Sequence, residues 1–269
     1  MTTATTRTVE DVRVGALLRG WRTLRRVTQL ELALRADSSA RHISFIETGR
    51  AVPSRAMVLR LAERLDIPVR DRNTLLLAAG YAPTYPETSL TSPAMAQLRS
   101  ELERLLTAYE PHPALVMDGT YDVVTANKGV LTLLDGVAAH LLEPPMNAMR
   151  LTLHPEGLAP RIRNLPEWRA HLLERMERQV ALRSSDALRR LYEEVSGYPA
   201  DTGEHGEDQG PAAHPYALPL RIEVGGRVLS FISTATTFNT PMDVTVSELA
   251  VETFLPADPE TAAALHALR

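Results

Sequence analysis

Apolar positions recur at helical spacing through the first eighty residues. Val14, Leu17, Leu18, Trp21 and Leu24 mark one face of a first helix. Thr28-Gln29-Leu30-Glu31 has the form of a capping box, with Thr28 as N-cap and Glu31 reaching back. Leu32, Ala33 and Ala36 follow as a short buried face. Asp37-Ser38-Ser39 interrupts the pattern, and Ser39 caps a third helix that turns Ile43 and Ile46 inward. Gly49 supplies its stop. Ser54 opens a fourth helix carrying Met57, Leu61, Ala62 and Leu65. Pro68 ends it, and 71–79 reads as a fifth. The pattern predicts an all-α bundle of five short helices.

The pattern then breaks. Residues 82–93, APTYPETSLTSP, hold three prolines with Thr and Ser, which reads as a linker. Beyond it, Met95, Leu98, Leu102, Leu105, Leu106 and Tyr109 form one stripe on a helix over 93–110. Residues 114–117 and 121–125 read as strands around Asp118-Gly119, a hairpin turn pair. A helix over 166–183 carries Trp168, Leu172, Leu173, Met176 and Val180. Strands at 216–224 and 227–237 flank Gly225-Gly226, and 249–255 offers another strand. The acidic, Gly/Pro-rich stretch 198–215 reads as an exposed loop. This predicts two domains, 1–82 and 94–269 about a linker at 83–93. The second is α+β with an antiparallel sheet.

Charge sharpens the division. The net charge of −4 argues mildly against nucleic acid. Residues 1–80 hold 14 Arg against 8 acidic residues, a net of +6, and the remainder carries −10. A basic head on an acidic body points to a nucleic-acid-binding module joined to something else. There is no cysteine, which excludes disulfides, thiolate-bound metal and a flavin–thiol light sensor. No apolar window approaches membrane-spanning length. Residues 1–15 have no apolar signal core, so a cytoplasmic protein is expected. Eight histidines are scattered without metal-ligand spacing, His140 and His154 among them. With no nucleophile elbow or phosphate loop either, the expectation is neither enzyme nor metalloprotein.

Residues 28–50, TQLELALRADSSARHISFIETGR, resemble the phage-repressor-like (Xre/Cro) helix-turn-helix family. The resemblance implies a recognition helix beginning at Ser39, and double-stranded operator DNA as partner. It implies a phosphate contact at Gln29, and base contacts from the first turn at Ser39, Ala40 and Arg41. Arg41 suits bidentate pairing with guanine. Ser44 and Phe45 lie one turn on, where Phe45 would meet a thymine methyl. Arg50 and Arg55 fall in the loop that touches the DNA backbone. The family usually has Gly and an apolar residue at the turn, where this chain has Asp37-Ser38. Aspartate tolerates positive φ, so the turn survives. The alternative is an adaptor that uses the bundle to bind a transcription component instead of DNA.

Residues 113–136 resemble the opening of a PAS-type domain, with Asn127 leading into a helix that ends at Gly136. The chain order resembles bacterial regulators with an Xre-type head and a MmyB-like, PAS-like ligand-binding domain. Asn147 to Arg150, Glu167-Trp168, Arg183 and residues 238–245 carry the rest of the likeness. The resemblance implies a homodimer and a non-covalently held, partly apolar ligand, with a fatty-acyl-like molecule as candidate. Arg150 would then pair a carboxylate, with Asn127 or Asn147 in support. The same residues also suit internal work: Asn127 as a helix cap, Arg150 in an ion pair.

Overall fold

The computed structural model describes residues 13–183, 185–199 and 217–267. The chain packs as two units. One comprises residues up to Glu87 together with Pro241–Ser247; the other comprises Thr88–Thr240 and Glu248 onward.

The first unit is the expected five-helix bundle: α1 (Val14–Leu24), α2 (Gln29–Arg35), α3 (Ala40–Glu47), α4 (Arg55–Arg64) and α5 (Val69–Ala78). Polar caps set the helix starts. The Thr28 hydroxyl accepts from the Glu31 amide and the Glu31 carboxylate accepts from the Thr28 amide, a complete capping box. Ser39 and Ser54 cap α3 and α4 by accepting from the His42 and Met57 amides. Asp37 takes the left-handed backbone the turn demands, at φ 49°. α5 starts two residues before its expected position, because Pro68 sits at the N-cap, where its missing N–H costs little. Leu18, Leu32, Ile43, Ile46, Leu61 and Leu75 are buried in one core. Gly15 lets α1 approach α3: a Cβ there would lie 2.2 Å from the Ile46 carbonyl oxygen.

The proline-rich stretch after α5 is tied to the bundle. The Asn73 side chain accepts from the Thr84 and Tyr85 amides, both at 3.1 Å, and donates to the Tyr85 carbonyl at 2.7 Å. Within this same unit the Val244 amide donates to the Pro86 carbonyl at 2.8 Å, and Val244 is buried.

The second unit opens with a 3-10 turn, Pro93–Met95, and continues into α6 (Ala96–Ala108). The expected 93–110 helix is thus shortened at both ends. After α6 come β1 (Ala114–Met117), β2 (Val123–Ala126), α7 (Lys128–Leu131), α8 (Ala139–Leu142), α9 (Ala148–Leu153), α10 (Leu165–Leu182) and α11 (Asp186–Ser196). Then follow β3 (Leu220–Val224), β4 (Arg227–Thr237), β5 (Ala250–Pro256) and α13 (Pro259–Ala267); α12 (Val244–Glu248), between β4 and β5 in the chain, belongs to the first unit as far as Ser247. The strands form one antiparallel sheet in the order β2-β1-β5-β4-β3. This is the α+β, PAS-like architecture expected. The β3–β4 turn has Gly225 and Gly226 at φ 57° and 76°, as a two-residue hairpin with positive φ at both centres requires. The β1–β2 connection is longer than the expected tight turn. Asp118 Oδ1 gathers the Thr120 and Asp122 amides, and Tyr121 adopts φ 63°. Most of the 198–215 stretch lies outside the described residues, as does Tyr216 at the start of the expected strand.

Side-chain alternation divides the sheet into two faces. Ala114, Val116, Leu249 and Val251 pack with Leu102 and Leu106 of α6. Leu115, Met117, Ile222, Leu229 and Phe231 face the larger core, which includes Trp168, Leu172 and Met176 of α10 and Leu188 and Leu191 of α11.

Candidate functional site

The α2–α3 pair presents the residues singled out for DNA. Arg41 is exposed, with its guanidinium carbon 5.2 Å from the Phe45 ring centroid; that of Arg50 lies 6.0 Å from the same ring. Phe45 is half-buried and gathers two cations at the end of the bundle. Ser39 spends its hydroxyl oxygen on the His42 amide, and Ala40 and Ser44 are half-buried beside it. The Gln29 side-chain amide donates to Glu47 Oε2 at 2.8 Å. Arg55 donates to the Thr84 hydroxyl at 2.9 Å.

Glu47 organises this surface from beneath. Its carboxylate receives Arg22 from α1 at 2.6 and 3.0 Å as well as Gln29 from α2. Burial pushes the Glu47 carboxyl up, but the hydrogen bonds from Arg22 and Gln29 outweigh it and hold the carboxyl below its ordinary value. The sequence reading did not single out this residue, because a glutamate on a short polar helix reads as surface.

In the second unit, Asn127, Asn147 and Arg150 are each committed to internal bonds. Asn127 is buried and makes four: its oxygen accepts from the Ala114 and Val130 amides, and its nitrogen donates to the Leu106 and His112 carbonyls. Asn147 caps α9 through the Met149 and Arg150 amides and donates to Asp122. Arg150 pairs with Glu194 through two bonds of 2.7 Å, and the Tyr198 hydroxyl donates to the same carboxylate. The Arg150 hydrogen bond holds Glu194 below its ordinary value, and burial with the Glu194 contact pushes Tyr198 up to about 12. None of the three lines the cavity described next.

That cavity has a volume of ≈ 100 Å³ and lies between the sheet and the helices over it. Leu115, Met146, Met149, Trp168, Leu172 and Phe254 are among its walls. Two lining side chains carry oxygen. Thr152 donates its hydroxyl to the Ala148 carbonyl at 2.8 Å, leaving Glu252. Glu252 is 5% exposed; its Oε1 accepts from the Ser233 hydroxyl at 2.6 Å and its Oε2 lies 3.4 Å from Arg175 Nη1. The Arg175 guanidinium carbon is 5.9 Å from the ring centroid of Tyr121, a buried residue whose hydroxyl has no partner. A carboxylate in the middle of Leu249-Ala-Val-Glu-Thr-Phe-Leu is the sequence signal that could have found this group.

Folding also brings together residues whose spacing gave no metal signal. His140, His154 and Glu156 each place one donor atom within 4.8 Å of the others. The His154 Nδ1 accepts the Glu156 amide at 3.0 Å. That Nδ1 lone pair is therefore already engaged within the fold. Among the described residues, no helix is long and apolar enough to cross a membrane.

Comparison with known families matches two stretches of the chain. Residues 18–71 match the Helix-turn-helix family model, and residues 98–268 match the MmyB-like transcription regulator ligand binding domain. No curated protein matches the chain. The first match contains α2 and α3 with their cation-bearing end; the second contains the sheet and its cavity. Both families are of transcription-regulator type. A DNA-binding helix-turn-helix joined to a ligand-binding domain makes a transcription regulator, and the chain belongs to the MmyB-like transcription regulator ligand-binding family.

Proposed function

We propose that the chain is a cytoplasmic, sequence-specific regulator that reads operator DNA as a homodimer through α3 and is controlled by a small, largely apolar molecule held in its second unit. The observation that carries the DNA reading is the placement of Arg41 and Arg50 about Phe45. Guanidinium groups held on an aromatic ring lose less freedom when they meet guanine or phosphate. Arg41 is the base reader in this reading; Gln29, Arg50 and Arg55 take the phosphate side. The dimer follows from the two-fold operators that such helices read. The ligand reading rests on the apolar cavity. Its ≈ 100 Å³ suits one ring or the last few carbons of an acyl chain.

The test is selection of a preferred DNA site by the full protein, followed by comparison of Arg41→Ala with the parent. Loss of discrimination at one or two base pairs supports base readout. Unchanged affinity and selectivity overturn it and favour the adaptor alternative, in which the bundle binds a transcription component.

A further inference from the structure

We propose that Glu252 makes this cavity select apolar molecules that carry a hydrogen-bond donor, such as an amine or hydroxyl, over carboxylates. The inference rests on the cavity being the ligand site.

Glu252 is the one ionisable side chain among the lining residues. It stands on β5, on the sheet face it shares with Leu115 and Phe254, in a wall otherwise almost wholly apolar. A buried carboxylate has about four acceptor positions, and unfilled ones are costly. Ser233 fills one at 2.6 Å. Arg175 approaches Oε2 only to 3.4 Å, well beyond the ~2.7–2.9 Å of a tight charge-assisted bond. Oε2 therefore retains capacity for a donor, and the cavity beside it offers a place for the molecule that brings one.

An anionic ligand meets the opposite situation. It would bring a second negative charge against Glu252, and no lining residue is cationic. Arg150, the cation suggested by the sequence, is doubly bonded to Glu194 and lines no part of the cavity. Like charges in a low-dielectric site repel strongly. Arg175, 3.4 Å from Oε2, offsets part of the Glu252 charge but lies outside the lining, so the wall offers a carboxylate no cation of its own and favours neutral or cationic donors.

The volume fixes the probes. A dry apolar cavity of ~150 Å³ holds benzene; this one, at ≈ 100 Å³, is smaller, so the probes are kept to one ring with one small substituent: toluene, benzyl alcohol, benzylamine and benzoate. The chain contains two tryptophans, and Trp168 lines the cavity whereas Trp21 belongs to the bundle core. Full-length protein labelled with 5-fluorotryptophan then gives two resonances, assigned with Trp21→Phe. The expected result is that toluene, benzyl alcohol and benzylamine shift the Trp168 resonance and leave that of Trp21 in place. Benzylamine and benzyl alcohol should bind at least tenfold more tightly than benzoate. Glu252→Gln should weaken benzylamine about tenfold and bring benzoate towards toluene.

If no probe moves Trp168, the cavity reading fails and the selection falls with it. If toluene moves Trp168 but benzoate binds as well as benzylamine, the cavity stands and the selection is overturned. The unsubstituted protein gives this ranking, so it holds even if Glu252→Gln does not fold. A folded Glu252→Gln protein with an unchanged ranking also overturns the role assigned to Glu252.

Discussion

The Arg22 guanidinium donates twice to the Glu47 carboxylate, at 2.6 and 3.0 Å, joining the first helix of the bundle to the end of the third. Glu47 is nearly fully buried and Arg22 mostly so, with side chains 3% and 15% exposed. Removing one member of such a pair leaves the other charge without compensation. Glu47→Ala is expected to destabilise the first unit by roughly 3 kcal/mol. Urea unfolding followed at Trp21 measures this. A loss below about 1 kcal/mol would show that water replaces the pair.

Acid should act through the same residue. The Glu47 carboxyl lies below its ordinary value of 4.5 in the folded chain, so its contribution is fully present above that pH. The contribution is lost as pH falls through the depressed folded value. Glu194, held down by Arg150, adds in the same direction with a smaller weight because it is more exposed. Melting temperature should therefore fall below pH 4.5 in the parent and fall less steeply in Glu47→Gln. Equal slopes would place the acid sensitivity elsewhere.

Phe45 carries no charge, yet its substitution should weaken DNA binding. A contact between a cation and an aromatic ring contributes about 0.5–1 kcal/mol at an exposed site. With Arg41 and Arg50 both on the ring, Phe45→Leu should lower operator affinity roughly five- to thirtyfold while helix content stays unchanged. Fluorescence anisotropy with labelled operator, alongside far-ultraviolet circular dichroism, separates the two effects.

Arg50→Ala should weaken binding to all DNA sequences alike. The slope of log affinity against log salt should become shallower by about one. An unchanged slope would remove Arg50 from the phosphate contacts. Anisotropy titrations across a salt series decide it.

Asn127 and Arg150, paired in the ligand expectation, should behave differently from one another. Asn127→Ala removes four internal hydrogen bonds, the one to the Ala114 amide among them, and should cost at least about 2 kcal/mol. Arg150→Ala breaks a half-exposed ion pair and should cost about 1 kcal/mol or less. Neither should alter toluene binding by the stable fraction. Thermal unfolding with and without toluene tests both.

Local chemistry carried most of the fold. Thr28, Ser39, Ser54 and Asn127 cap helices through short-range bonds that a sequence displays directly. The paired glycines at 225 and 226 did the same for a hairpin. The cavity wall was less accessible to reading, because which face Glu252 occupies depends on β5 pairing with both β1 and β4 across long stretches of chain. Arg150 shows the same limit from the other side. Its partner, Glu194, lies forty-four positions away on a helix that the apolar pattern did not single out. The surface cations of the recognition helix were legible as residues, but their convergence on Phe45 needed the turn geometry of α3.

Pro241–Ser247 belong to the same unit as the five-helix bundle, with the Val244 amide bonded to Pro86. The DNA-binding unit is therefore assembled from two distant stretches of one chain. During synthesis its helices emerge early, but its last piece leaves the ribosome only after the sheet strands up to β4 have been made. The five-helix core, built wholly from residues 14–81, can therefore close early in translation, and the Val244 contact at Pro86 is added to it only late.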